Sequence, residues 1–162
     1  MKSNLLVDFF YSLVRHSNMS LIDHFNSFAV AFEACVIEDR WERLGDYFAE
    51  NATYWNVGGP DPMIKGRLAI IDYLKNDVSN NDRRFDSRKL KAISEPTVDV
   101  NKLSRLWRCT YTLAGVPNLV VEGEARYEFV GELICTLEEE ITPESMERYV
   151  EWMEKYGSRL RA

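Results

Sequence analysis

Leu21, Ile22, Phe25, Phe28, Ala29, Phe32 and Val36 recur at helical spacing, which places them on one face of a helix. Ser20 precedes the run and Asp23 follows three positions later, a capping box that sets where the helix begins. Asp39 and Glu42 repeat that pattern ahead of Trp41, Leu44 and Phe48, predicting a short helix that turns back on the first. Ala52 to Val57 alternates as a strand does, and Gly58 to Pro62 is a turn-rich loop. Leu68, Ile71 and Leu74 predict a third helix that starts after Gly66 and ends near Asn76. Upstream of all this, Leu5, Leu6, Phe9, Phe10, Leu13 and Val14 also recur at helical spacing, predicting a short amphipathic helix.

From Ser87 onward the period changes to two, with strand-like runs at about 87–95, 103–114, 119–130 and 133–141. Asn101-Lys102, Gly115 to Asn118 and Gly131-Glu132 separate the runs by short turn segments, which predicts hairpins and antiparallel pairing. Thr142 then caps and Pro143 opens a last helix bearing Met146, Tyr149, Val150, Met153 and Tyr156, with Gly157 near its end. The chain divides into an N-terminal extension at 1–18, a helix-and-sheet domain at 19–142 and a C-terminal helix at 143–162. The predicted fold class is α+β.

Alternation also predicts which side chains face together. In the run 119–130, Leu119, Val121, Gly123, Ala125, Tyr127 and Phe129 share one side, and the opposite side carries Glu122, Glu124, Arg126 and Glu128. The last run groups Leu133, Cys135, Leu137, Glu139 and Ile141, so Glu139 is the one carboxylate that alternation puts on an apolar face. Two readings follow for it. In a dry concavity its pKa rises and suits proton transfer near neutral pH; at the sheet rim it reaches water or pairs with an arginine. Tyr54 and Asn56 project together from the first strand, a phenol and an amide able to hold a water or a substrate oxygen. In the run 103–114, Trp107, Cys109, Tyr111 and Leu113 oppose Arg108 and Thr110, and the pattern leaves open which set faces inward. Whichever does, that strand contains no Asp or Glu.

The 162 residues, 46% hydrophobic and 28% charged, suit one globular domain. A net charge of −6 argues against nucleic acid and anionic membranes as partners. Arg83, Arg84, Arg88, Lys89 and Lys91 are a local exception, but Asp82 and Asp86 sit among them and the group reads as a solvated strand edge. Cys35, Cys109 and Cys135 form no CxxC pair and read as small buried hydrophobes in a reducing, cytoplasmic compartment. His16 and His24 lack metal-ligand spacing, so no metal is expected. The absence of GxGxxG, P-loop and GxSxG motifs leaves no cofactor to expect either.

This order of elements, with Tyr47-Phe48-Ala49-Glu50-Asn51-Ala52-Thr53 and Lys65-Gly66-Arg67-Leu68-Ala69-Ile70 as local signatures, resembles the nuclear transport factor 2-like, SnoaL-like superfamily from about Ser20 to Ile141. The resemblance implies a cone-shaped barrel of curved antiparallel sheet wrapped around the N-terminal helices, opening onto a ligand pocket, often within a homodimer formed through the sheets. Compared with the steroid isomerases of that superfamily, Asn56 stands for the proton-shuttling aspartate, Phe32 for the oxyanion tyrosine and Ala125 for the oxyanion aspartic acid. All three roles are missing, which argues against that mechanism. The epoxide hydrolases resemble the chain more closely. Their water-holding tyrosine and asparagine look like Tyr54 and Asn56, their water-activating aspartate like Glu139 and their bridging arginine like Arg108. Their epoxide-protonating acid falls near Thr110, in the strand without a carboxylate, and the histidines that the dehydratases carry on strands are absent.

The expectation is a domain that binds a small, apolar, cyclic molecule. Glu139 is the candidate base, Tyr54 and Asn56 are its companions, and Phe32, Trp55, Trp107, Arg108 and Tyr127 are the ligand contacts. The alternative is a non-catalytic dimeric binding or interaction module whose cone is closed by aromatic packing.

Overall fold

A computed structural model describes residues 19–162. The amphipathic helix expected within residues 1–18, and His16 with it, lie outside the described residues. Helix α1 (Leu21–Glu38) begins at the predicted box: Asp23 N donates to Ser20 Oγ at 3.2 Å and Ser20 N to Asp23 Oδ2 at 3.0 Å. Its apolar face lies on the sheet, where Phe28 meets Phe48 at 5.5 Å between ring centroids and Phe25 meets Tyr127 at 5.0 Å. Edge-to-face packing of this kind adds to the area the rings bury.

The second predicted capping box does not form. Residues Trp41–Asp46 make a 3-10 helix whose N-cap is Arg40, without a side-chain cap. Asp39 accepts instead from Trp41 Nε1 at 2.8 Å and Arg83 Nη2 at 2.9 Å, so its carboxylate is committed to tying two segments together.

The strands are β1 (Phe48–Val57), β2 (Met63–Lys65), β3 (Ser87–Ala92), β4 (Thr97–Asp99), β5 (Lys102–Thr112), β6 (Leu119–Val130) and β7 (Leu133–Ile141). Six run in the order β2-β1-β7-β6-β5-β3, and β4 pairs with β5 as well. The expected hairpins are there: β5–β6 and β6–β7 are antiparallel. The curved sheet of the expected α+β cone is there, with two features the expectation did not specify. The sheet is open, ending in β2 and β3, and β1 pairs with β7 in parallel. Hairpin turns orient only consecutive strands, and no turn joins β1 to β7. β2 and β4 are short pairings in stretches to which the sequence pattern assigns no element.

Helix α2 (Arg67–Asn80) runs past Asn76 because Val78, 2% exposed, anchors a further turn in the core. Alternation holds throughout β6, where Leu119, Val121, Gly123, Ala125, Tyr127 and Phe129 are all buried. In β7 it holds only from Leu137 onward. The register shifts at Cys135, where Glu128 faces Thr136 while Phe129 faces Ile134. This bulge sends Leu133 outward and puts Ile134, 1% exposed, in the core.

Helix α3 (Pro143–Tyr156) starts at Thr142, whose Oγ1 accepts from Ser145 N at 3.2 Å. Ser145 Oγ in turn accepts from Glu122 N at 2.9 Å, and Trp152 Nε1 donates to Pro117 O at 2.8 Å. The helix thereby covers a second apolar cluster of Phe85, Leu119, Val121 and Trp152. Among the described residues, no helix is long and apolar enough to cross a membrane.

Gly123 lets Trp107 lie flat against β6, since a Cβ there would stand 2.5 Å from both Trp107 Cζ2 and Glu140 O. Gly123→Ala is expected to cost about 1–3 kcal/mol in chemical denaturation and to shift tryptophan emission as the indole moves. An unchanged midpoint and spectrum would contradict this packing.

Candidate functional site

Between α1, α2, α3 and the inner sheet face lies a cavity of about 500 Å³. Parallel pairing sets Asn56 of β1 opposite Glu139 of β7 and Tyr54 opposite Leu137, so these four side chains point into the same space and the residues between them face outward. Tyr54 is 3% exposed, and its hydroxyl donates to Glu139 Oε2 at 2.7 Å. Asn56 Nδ2 donates to the hydroxyl of Tyr73, a residue of α2, at 2.8 Å. The Tyr54 and Tyr73 rings stand 5.1 Å apart, forming one wall.

Burial raises the Glu139 pKa above the ordinary glutamate value; the Tyr54 hydrogen bond opposes the rise and the negative charge of Asp77 adds to it. Tyr54 is raised by burial and by the facing Glu139, so it stays a neutral donor. Tyr73 is pushed up to about 12, first by burial and then by Asp77. Glu139 Oε1 has no hydrogen-bond partner among the described residues, yet it is not sealed off from solvent, so it is presented to the cavity. Among the described residues Glu139 pairs with no arginine; its hydrogen-bond partner is a phenol within the cavity.

A second polar cluster in the cavity was not anticipated from the sequence. Arg88 belongs to the run read as a solvated edge, but alternation in β3 turns it inward, leaving its side chain 11% exposed. Its Nε lies 2.6 Å from Asp82 Oδ2, and its Nη1 donates to Glu33 Oε1 and Oε2 at 3.0 and 2.9 Å. Asp82 Oδ1 accepts from the Tyr111 hydroxyl at 2.9 Å. Asp82 is raised by burial against the lowering effect of Arg88, and burial pushes the nearby Cys109 thiol up to about 11. Arg88 is held above its usual value, the charges of Asp82 and Glu33 outweighing the opposing effect of burial.

Phe32, Trp107 and Tyr127 line the cavity, as does Ala125. Two expected ligand contacts do not. Trp55 faces the other side of β1 and is 40% exposed, because it alternates with Tyr54 and Asn56. Arg108 lies on the outer face of β5, where its Nη2 reaches Glu122 Oε1 at 2.5 Å across the strand pair. The inner face of β5 is therefore the one bearing Trp107, Cys109 and Tyr111. That strand supplies no carboxylate, but Asp77 and Asp82, from the end of α2 and the turn after it, do line the cavity. A signal for this was in the sequence: Tyr73, Asp77 and Asn81 recur every four residues, beside the buried Ile70, Leu74 and Val78.

No known family profile and no curated protein matches the chain. Solved structures do. An NTF2-like protein from Anabaena variabilis superposes with a TM-score of 0.61 at 14% identity, covering 80% of this chain and 94% of that one. A provisionally named SnoaL-like polyketide cyclase from Shewanella putrefaciens gives 0.59 at 8%, covering 93% and 98%. TerC, crystallised with polyporic acid, gives 0.57 at 9%, covering 77% and 96%. At these identities the likeness is one of fold.

Removing the cation of the buried cluster tests how far the cavity depends on it. Arg88→Met leaves Asp82 without its counterion and is expected to cost about 3 kcal/mol in urea denaturation. A loss below about 0.5 kcal/mol, the range of surface substitutions, would contradict the pairing described.

Proposed function

We propose that this chain, which has the NTF2-like fold of those structures, binds a largely apolar, ring-containing small molecule in its cavity and transfers a proton on it. The observation that carries this reading is the Tyr54–Glu139 hydrogen bond at 2.7 Å, with the second carboxylate oxygen turned to the cavity. Glu139 is the base. Its raised pKa brings proton uptake nearer neutrality, where a general base is most effective. Tyr54 holds the carboxylate in orientation, and Asn56, positioned by Tyr73, faces the same space to hold a ligand oxygen or a water. Phe32, Trp107 and Tyr127 supply flat apolar walls suited to rings.

Dimerisation is the second part of the proposal. The outer sheet face exposes Trp55, Val57 and Leu106 at 40%, 39% and 44%, an apolar set suited to pairing two copies. A dimer that binds without catalysis is the alternative, and the cavity beside Glu139 favours the catalytic reading over a cone filled by aromatic packing. The free thiols of Cys35, Cys109 and Cys135 support the cytoplasm as the compartment.

Native and then denaturing mass spectrometry of the purified protein is expected to give a dimer carrying a small apolar molecule, which names the compound class for assays. On a compound so identified, Glu139→Gln is expected to keep binding and lower kcat by about 10²–10⁴. Wild-type activity should rise with pH as Glu139 ionises, with a midpoint above the ordinary glutamate range. Unchanged turnover in the variant would remove Glu139 from the mechanism.

A further inference from the structure

We propose that residues 5–14 dock as a helix along the side of α1 turned away from the cavity, so that the chain supplies its own cover for that surface. The surface lies outside the cavity and does not depend on the function proposed for it.

Ile22, Asn26, Val30 and Ala34 recur every four residues along α1 and so share one side of it. Ile22 is 37% exposed and Val30 is 72% exposed. Asn26, Ser27, Val30, Ala31 and Ala34 line a groove, joined there by Tyr47 from the end of the 3-10 helix. Between His24 and Glu38 the one charged residue is Glu33, and it is drawn to Arg88 on the cavity side. A helix side that faces water ordinarily carries charges, so an uncharged side of this length is one that packs.

The occupant follows from what leads into α1. In the sequence, Leu5, Leu6, Phe9, Phe10, Leu13 and Val14 share one side of a helix, with Asn4, Asp8 and Ser12 on the other. A helix this short is marginal alone in water and needs a partner for its apolar side. Residues 15–20 are a connection short enough to make the two helices antiparallel neighbours. Both then advance four residues per step. With Val14 beside Ile22, Phe10 falls beside Asn26 and Leu6 beside Val30. At about 1.5 Å per residue the segment reaches about as far as Ala34 and stops short of Ile37. The exposed apolar set of Trp55, Val57 and Leu106 is on the outer sheet face, across the sheet from α1. A second copy seated in the groove would leave the apolar side of residues 5–14 bare in both chains, whereas docking covers both surfaces with one contact.

Methyl NMR of the full-length chain with a soluble gadolinium chelate, which broadens exposed methyls, tests this. Val30 and Ile37 both project from α1, at 72% and 83% exposure, and Val78 is buried at 2%. The Val30 methyls are expected to stay as sharp as those of Val78 while the Ile37 methyl broadens. Phe9→Ser combined with Phe10→Ser should make Val30 broaden as Ile37 does, with Val78 still sharp as proof that the domain is folded. Val30→Asp gives a second reading, and it decides if the double variant fails to fold. At an uncovered helix position this exchange shifts the folding constant by no more than about twofold. Beneath an apolar helix it lowers the constant by about tenfold or more. Equal broadening of Val30 and Ile37 in the wild type, or a shift within about twofold for Val30→Asp, overturns the docking. Protection of Val30 that survives the double variant, or that fades on dilution as a contact between two copies would, gives the groove to another occupant and overturns it as well.

Discussion

A carboxylate taken out of water has to be matched by a cation, satisfied by donors, or protonated, and the cavity of this chain answers that constraint differently at its two poles. Asp82 and Glu33 are matched by Arg88, and Asp82 also accepts from Tyr111. Among the described residues, Glu139 has no cation within ion-pair distance. It has one phenol at 2.7 Å, and the charges of Asp77, Arg88 and Asp82 act on it from further away. An arrangement that satisfied structure alone would treat both poles alike. The difference leaves Glu139 with a raised proton affinity, while the carboxylates around Arg88 are held in ion pairs.

The backbone arrangement that creates this difference is the parallel pairing of β1 with β7. It brings Asn56 opposite Glu139 from positions far apart in the chain, and it puts Tyr54 one pleat away on the same face. The bulge at Cys135 restores phase in time for Leu137 and Glu139 to face inward. Helix α3 closes the far end, with Tyr149 and Met153 completing the lining beyond Trp107. Each of these devices places a side chain that strand geometry alone would leave elsewhere.

The elements themselves were legible. The Ser20–Asp23 box, the Thr142 cap, the inward row of β6 and the shared side of Tyr54 and Asn56 all follow from local chemistry that period and capping rules capture. What lies further apart in the chain was not. Strand direction between β1 and β7 has no turn to declare it, and a one-residue bulge is silent in composition. Arg88 was hidden among lysines and arginines whose average character is that of a surface, although its own alternation in β3 points it inward. Asp77 and Asp82 stand on α2 and on the turn after it, where strand alternation carries no information about facing. Trp55 and Arg108, expected in the site, are excluded from it by the same alternation that puts Tyr54 and Trp107 there.

The central claim is that Glu139 sits in a cavity with the Tyr54 phenol as its hydrogen-bond partner, and that burial outweighs both that bond and the more distant charge of Arg88. Its titration, read from the side-chain carboxyl carbon by NMR with the resonance assigned through Glu139→Gln, tests that most directly. The account predicts a midpoint clearly above the ordinary glutamate value of 4.5, because burial outweighs the Tyr54 hydrogen bond. It also predicts a further rise in Tyr54→Phe, where that hydrogen bond is gone. A midpoint at or below the ordinary value would mean a solvated or cation-paired carboxylate, and would contradict the account.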